Sequence, residues 1–311
     1  MPLAWVPYAD YADAEQHLGA IPAGLDLDFY RADGDALPDS IADVAFYVLP
    51  YNRGLDVLAK AGQMPSLRVV QTLTAGYEEF LPLLPATVTL CNAAGLHDTS
   101  TAELAVALAL ASGRHLDSFA RNQSEGAWCP VWGRSIADRN VLIIGYGHIG
   151  QAVERRLQGF EVASVTRAAR RARSGPPQVH AISDLHRLLP HADVVFLIVP
   201  HTPETEGLIG AAELKLLPDH ALLVNVARGK VVDTDALVAE LRAGRIQAAL
   251  DVTDPEPLPP DHPLWRAPNV LISPHVGGPS SAFGPRADRL IAAQLARFAA
   301  GQPLANVVKA P

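Results

Sequence analysis

The sequence predicts an α/β protein with two doubly wound parallel-sheet domains. Three observations predict it. The chain has 311 residues, 49% of them hydrophobic and only 19% charged, enough to bury two cores and more than one compact domain usually holds. Short apolar runs of strand length recur from one end of the chain to the other. Between them lie intervals with helical spacing, and strand-helix alternation of this kind builds parallel sheets covered on both faces.

In chain order, apolar runs at residues 3–6, 44–49, 67–72 and 87–91 are separated by polar and Pro- or Gly-containing breaks, and predict short buried strands. At Asp98 the character changes. Thr99, Ser100 or Thr101 is a candidate cap for a helix whose Ala/Leu-rich body, residues 102–111, is apolar nearly all round and so belongs between layers. A polar stretch bearing Trp128 and Trp132 follows, and then Asn140-Val141-Leu142-Ile143-Ile144, which opens a second sheet. Further runs at 162–165, 194–199, 221–226, 248–252 and 270–272 continue that sheet. The proline-rich stretch 255–263 predicts a surface loop, and residues 282–300, with Leu290, Ile291, Leu295 and Phe298 near helical spacing, a terminal helix. The expected division is a discontinuous domain of residues 1–95 plus 284–311, interrupted by a larger domain of residues 96–283.

Composition removes several function classes. A formal net charge of −8 gives no general attraction to polyanions, so neither nucleic acid nor an anionic membrane surface is an expected partner. No apolar run approaches the ~20 residues of a spanning helix. The first eighteen residues are acidic, without the apolar centre of a signal peptide, and Cys91 and Cys129 are too few for a disulfide framework, so a reducing cytoplasm is expected. Neither cysteine has metal-site spacing, and no metal is expected.

Gly145-Tyr146-Gly147-His148-Ile149-Gly150 is a GxGxxG between an expected strand and an expected helix, which is the context of a Rossmann-type dinucleotide site. The first glycine permits the turn, the second lets a pyrophosphate approach the backbone, and the third lets helix and strand pack closely. The helix N-terminus, opened by His148 and Ile149, attracts the phosphates. NAD enzymes carry an Asp or Glu after the second strand, where it binds the ribose 2′-hydroxyl. Here the second strand, expected over 161–166, ends Val165-Thr166-Arg167. Thr166 leaves a 2′-phosphate unopposed, and Arg167, Arg170 and Arg171 can meet its charge, so NADP (NADPH) is the expected cofactor, with NAD possible.

With hydride chemistry supplied by a nicotinamide, the protein must bind the substrate, orient its carbonyl and exchange one proton. Arg228, in Asn225-Val226-Ala227-Arg228-Gly229-Lys230, follows an expected strand and so stands at the carboxyl edge of the sheet, with a planar fork able to grip a carboxylate at two points. His275, in Ser273-Pro274-His275-Val276-Gly277-Gly278, also follows a strand and is the residue type that exchanges protons near neutral pH. Glu256, in Asp254-Pro255-Glu256-Pro257, is a candidate partner that would orient the imidazole and favour its protonated form.

The glycine motif, Val199-Pro200-His201-Thr202-Pro203-Glu204-Thr205, the 225–233 stretch, and Leu250-Asp251-Val252 followed by 273–278 together resemble the D-2-hydroxyacid dehydrogenase family over nearly the whole chain, glyoxylate/hydroxypyruvate reductases and phosphoglycerate dehydrogenases included. The resemblance implies a D-2-hydroxyacid dehydrogenase or 2-oxoacid reductase. Arg228 would bind the carboxylate and carbonyl, His275 would be the acid/base and Glu256 its partner. It also implies that Val199, Pro200, Thr205, Asp251, Gly277 and the backbone of Val226, Ala227 and Arg228 contact the cofactor. Thr74-Ala75-Gly76-Tyr77 would be the loop that meets the substrate carboxylate, with Ala75, Gly76 and Tyr77 as its contacts. A homodimer is implied, with residues 98–132 as the contact arm. Two features depart from the family pattern: the acid after the second strand is missing, and no regulatory domain of the kind carried by many phosphoglycerate dehydrogenases is present in the sequence. His97 and His201 lie near the matched motifs but are expected to bond locally. The alternative from another class is a nicotinamide-binding regulator or scaffold of the same fold, without turnover. The resemblance leaves open which 2-oxoacid is used.

Overall fold

Two separate sheets take up the apolar runs. In chain order the strands are β1 (Leu3–Val6), β2 (Asp26–Phe29), β3 (Val44–Val48), β4 (Val69–Gln71), β5 (Thr89–Cys91), β6 (Asn140–Ile144), β7 (Ser164–Ala169), β8 (His180–Ala181), β9 (Val194–Leu197), β10 (Leu222–Asn225), β11 (Gln247–Leu250), β12 (Val270–Ile272) and β13 (Val307–Lys309). The computed structural model describes residues 1–34, 36–53 and 55–310. Its contacts divide the chain into one unit of Met1–His97 with Ser281–Pro311 and a second of Asp98–Ser280.

The sheet of the first unit has the order β13-β5-β4-β3-β1-β2. All its pairings are parallel except β13 on β5, which is antiparallel. β3 is buried at every residue, as expected of a strand covered on both faces. β2 and β13 were not apparent in the sequence, because Asp26-Leu27-Asp28-Phe29 is half polar and β13 is three residues long. The helix Phe283–Ala299 buries Ala287, Ile291 and Leu295 in this unit's core. Its buried Gln294 donates to the Gln71 Oε1 at 2.7 Å, which ties the returning end of the chain to β4.

The sheet of the second unit is wholly parallel, in the order β12-β11-β10-β9-β6-β7-β8. Chain order reverses between β6 and β9, which makes the carboxyl ends of those strands the switch point where open α/β sheets bind ligands. β9 and β10 are buried throughout; each fully buried Leu, Ile or Phe contributes about 1.5–3 kcal/mol. The Ala/Leu-rich helix, Asp98–Gly113, packs on β10, β11 and the helix His148–Leu157. Among the described residues no helix is long and apolar enough to cross a membrane.

Candidate active site

At the switch point the glycine motif closes a turn from β6 into the helix His148–Leu157. Gly145 has φ +106, and a Cβ there would lie 2.5 Å from the Ile198 carbonyl, so only glycine fits against the end of β9. Gly150 is equally constrained, its Cβ position being 2.6 Å from the Gly145 oxygen. Gly147, the N-cap, faces open space. The two outer glycines therefore serve the protein's own packing and the middle one leaves room for a ligand. The first-turn amides of His148, Ile149 and Gly150 have no intrahelical acceptor, as at any helix start. This arrangement fits a pyrophosphate.

The basic segment corrects the sequence reading. The second strand does not end at Thr166 but continues past Arg167, so both residues lie inside it, paired with Leu142 and Ile143. Glu161 takes a left-handed turn, φ +55, its carbonyl accepts from the Asp138 amide, and regular pairing begins only at Ser164. The strand then runs to Ala169, because the Ala168 carbonyl accepts from the amides of both Gly145 and Tyr146. Arg167 is bound by Glu154, its Nε donating at 2.8 Å and its Nη2 making a second bond, so its charge is already neutralised. The Arg167 guanidinium holds the Glu154 carboxyl below its usual range. The strand ends at Ala169, not at an acid, and Arg170 and Arg171 come directly after it.

Beyond β9, Val199 is buried in the core and only its backbone is available to a ligand. The Thr205 hydroxyl donates to the Pro200 carbonyl at 2.7 Å and accepts from the Thr202 amide at 2.8 Å, closing its own turn. Val226 and Ala227, beyond β10, are likewise buried. Asn225, which the sequence reading passed over, shapes this corner: its Oδ1 accepts from the Ala227 amide at 2.9 Å and its Nδ2 donates to the Arg228 carbonyl at 3.1 Å. Gly229 was passed over too. A Cβ there would lie 2.0 Å from the Thr253 carbonyl oxygen, so the loop that carries Glu256 crosses directly over the residue after Arg228.

Asp251, buried at the end of β11, organises the loop that carries His275. Its carboxylate accepts from the Ser273 hydroxyl at 2.6 Å, the Val276 amide at 2.9 Å and the Gly277 amide at 2.8 Å, while its backbone carbonyl accepts from the His275 amide at 2.8 Å. Three of about four lone-pair positions on that carboxylate are thus occupied within the protein. From the other side, the hydroxyls of Ser100 and Thr101 donate to the carbonyls of Gly278 and Gly277. Their position near a helix start had suggested caps. His275 itself has φ +53, a left-handed conformation uncommon for a side-chain-bearing residue, held by these bonds.

The exposed His275 imidazole places Nδ1 2.5 Å from the Glu256 Oε1. Burial pushes the Glu256 carboxyl up, but the bond to His275, the imidazole charge, the Thr253 backbone and the Arg228 charge outweigh it and hold the carboxyl below its ordinary value. With the carboxylate ionised, Nδ1–H is the donor and Nε2 is the nitrogen left for proton exchange. Arg228 is half-buried, and its Nη1 donates to the Ala227 carbonyl at 2.7 Å. Arg228, Glu256 and His275 all follow parallel strands of the sheet that carries the glycine turn.

In the first unit, the loop after β4 is built to present amides. The carbonyls of Thr74, Ala75 and Gly76 accept from the side chains of Thr72, Asn92 and Thr74. The Tyr77 amide donates to its neighbour Glu78 at 2.9 Å. The amides of Ala75 and Gly76 have no protein acceptor among the described residues. His97 bonds locally, Nε2 lying 2.8 Å from the Leu73 carbonyl.

Residues 106–277, more than half of the chain, match the model of the D-isomer specific 2-hydroxyacid dehydrogenase NAD binding domain. A glyoxylate reductase of Pyrococcus horikoshii is 37% identical, with 76% of this chain and 75% of the relative covered. Among solved structures, a D-isomer specific 2-hydroxyacid dehydrogenase from Xanthobacter autotrophicus, in complex with NADPH and MES, is 30% identical with TM-score 0.79, covering 99% of this chain and 97% of that one. An NADPH-dependent glyoxylate/hydroxypyruvate reductase from Sinorhizobium meliloti, in complex with NADP and malonate, is 26% identical with TM-score 0.79, covering 99% and 96%. This chain belongs to the D-isomer specific 2-hydroxyacid dehydrogenase family and is an NAD(P)-dependent oxidoreductase.

Proposed function

We propose that the protein reduces a small 2-oxoacid to the corresponding 2-hydroxyacid, with NADPH preferred over NADH. The observation that carries this reading is the His275–Glu256 pair on a loop pinned by Asp251, at the same sheet edge as Arg228 and the glycine turn. The cofactor supplies the hydride. Protonated His275 gives the proton at Nε2 to the carbonyl oxygen, and Glu256 keeps the imidazole oriented. Arg228 neutralises the substrate carboxylate and polarises the carbonyl. In the oxidising direction neutral His275 takes the hydroxyl proton.

For the cofactor, the residues that fit are Gly145, Gly147 and Gly150 with the His148 and Ile149 amides at the pyrophosphate. Val199, Pro200, Val226, Ala227 and Gly277 would lie along the nicotinamide side through their backbone, with Thr205 and Asp251 shaping those loops. Ala169 in place of an acid, followed by Arg170 and Arg171, supports the 2′-phosphate preference, as do the NADP complexes of the related structures. Initial rates with a panel of 2-oxoacids, each with NADH and NADPH, test the reading. Glyoxylate and hydroxypyruvate are expected among the best substrates. No turnover of any 2-oxoacid with either nucleotide would leave the regulator reading instead.

The proposed assembly is a cytoplasmic homodimer. Trp128 and Trp132 are 95% and 99% exposed, with Val131 and Leu116 also exposed, which is a large apolar surface for a soluble monomer to leave in water. Residues 133 and 134 anchor this arm, since a Cβ on Gly133 would lie 2.8 Å from the Gly113 oxygen and the Arg134 amide donates to the same carbonyl. A second copy of the chain covering the arm is the expected occupant. A monomeric mass in light scattering at assay concentration would remove it. The free thiols of Cys91 and Cys129 fit a reducing compartment.

A further inference from the structure

The arginine run from 167 to 173 has a last member that neither the strand nor the post-strand position absorbs. Arg173 is exposed, and among the described residues it pairs with no carboxylate. Its Nη2 donates to the Tyr146 carbonyl at 2.8 Å, and its guanidinium lies over the Tyr146 ring, 5.7 Å from the centroid. Tyr146 is the second residue of the glycine motif. Its hydroxyl donates to Glu154 at 2.5 Å, and Arg167 also lies over its ring. Arg173 is in turn anchored through its backbone: its amide and carbonyl exchange bonds with Val179 at 2.9 and 3.0 Å, and Val179 is buried in the same core cluster as Tyr146.

The carbonyl that Arg173 holds belongs to the peptide unit joining Tyr146 to Gly147. A peptide unit is planar, so fixing its oxygen fixes its N–H and the direction in which the chain enters Gly147. The other end of that unit is held as well, the Gly147 amide donating to the Gly145 carbonyl at 2.9 Å. Gly147 is the one glycine of the motif with open space in front of it. We propose that Arg173 is a positioning residue for the pyrophosphate turn: by clamping the Tyr146 carbonyl and ring, it sets the Tyr146–Gly147 peptide on which nucleotide binding depends, for NADH and NADPH alike. Discrimination between the two belongs to Arg170 and Arg171, which follow β7 without reaching the turn through any such bond. The inference deepens the proposed NADPH preference and separates two tasks within one basic run.

The test is equilibrium nucleotide binding by the full chain without oxoacid, read from NADPH and NADH fluorescence, together with the melting temperature of the nucleotide-free protein. Arg173→Met is expected to raise both dissociation constants by the same factor, roughly tenfold, the size of one charge-assisted hydrogen bond. Their ratio stays at the wild-type value, and Tm changes little because the side chain is exposed. Arg170→Met is expected to weaken NADPH alone. Tyr146→Leu should cost less in an Arg173→Met background than in the wild type, since contacting residues are not additive. Unchanged dissociation constants in Arg173→Met overturn the proposal, and so does loss of NADPH affinity alone, which would make Arg173 a 2′-phosphate contact instead. Equal wild-type affinity for the two nucleotides would break the preference reading, and the common factor in Arg173→Met would still decide this one.

Discussion

The loop after β12, which carries His275, is held at Ser273, His275, Val276, Gly277 and Gly278 by Asp251, Ser100 and Thr101. The loop after β7, which carries Arg170 and Arg171, is exposed over most of its length and is tied down at Arg173 and Val179. The difference follows from what each has to do. A proton moves over a few tenths of an ångström, so an imidazole must be placed by bonds that leave it no alternative, even at the cost of a left-handed backbone. A phosphate dianion is recognised by charge over several ångströms, and mobile guanidiniums suffice.

Removing the tightly held group should therefore cause the largest loss. His275→Ala is expected to lower kcat for reduction by about 10² to 10⁴-fold while nucleotide dissociation constants stay unchanged. A variant that no longer binds nucleotide would mean that the loop, and not the imidazole, is what matters. Next in size is Arg228→Lys, which keeps the charge but not the planar fork and should lower kcat/KM for the oxoacid by roughly 10²-fold. Asn225 and Gly229 keep the corner in place in that variant, so its melting curve should match the wild type. Near-wild-type turnover would take Arg228 out of the mechanism.

The loosely held loop should give a smaller and more graded effect. NADPH is expected to be favoured over NADH by about 10- to 1000-fold in kcat/KM, mostly through cofactor KM, because the 2′-phosphate is remote from the transferred hydride. Ala169→Asp with Arg170→Ser should abolish or reverse that preference with little change in oxoacid KM. Thr166→Val, within the strand, should leave it alone. If the Thr166 variant moved the preference and the Ala169 pair did not, the position of the strand end would be wrong.

Where the physics is local, the sequence carried it. GxGxxG after an aliphatic run gave the turn, its switch-point context and the helix start, because glycine spacing and burial are both written in residue type. Arg228, Glu256 and His275 could be named because strand ends are legible from apolar runs. The end of β7 was not legible. Ala168-Ala169 has weak strand preference, and what extends the strand is the Ala168 carbonyl accepting two amides from the glycine turn, a contact between segments distant in sequence. Gly229, and the loop-holding role of Ser100 and Thr101, were missed for the same reason: each meets a loop that reaches it only after folding, and none is an unusual residue where it stands. Asn225 acts locally, on Ala227 and Arg228, but an asparagine at a strand end does not by itself say which backbone groups it will bond. A glycine right after a candidate arginine was the one available signal, since it can mark close backbone approach.

The smallest expected effect concerns the bond between the two chemical groups, and its direction follows from the carboxyl. Glu256 lies below its ordinary value of 4.5 in the folded protein, so its pairing with His275 contributes stability that is present above the unfolded value and is lost as pH falls through the folded one. Glu256→Gln removes that contribution. The melting temperatures of wild type and variant should differ most near neutrality and converge as the pH is lowered below the carboxyl range, because there the wild-type partner is neutral as well. Melting temperatures that differ by the same amount at every pH would show that the 2.5 Å contact holds the ring in place without the carboxylate charge contributing to the fold, and would leave Glu256 a positioning residue alone.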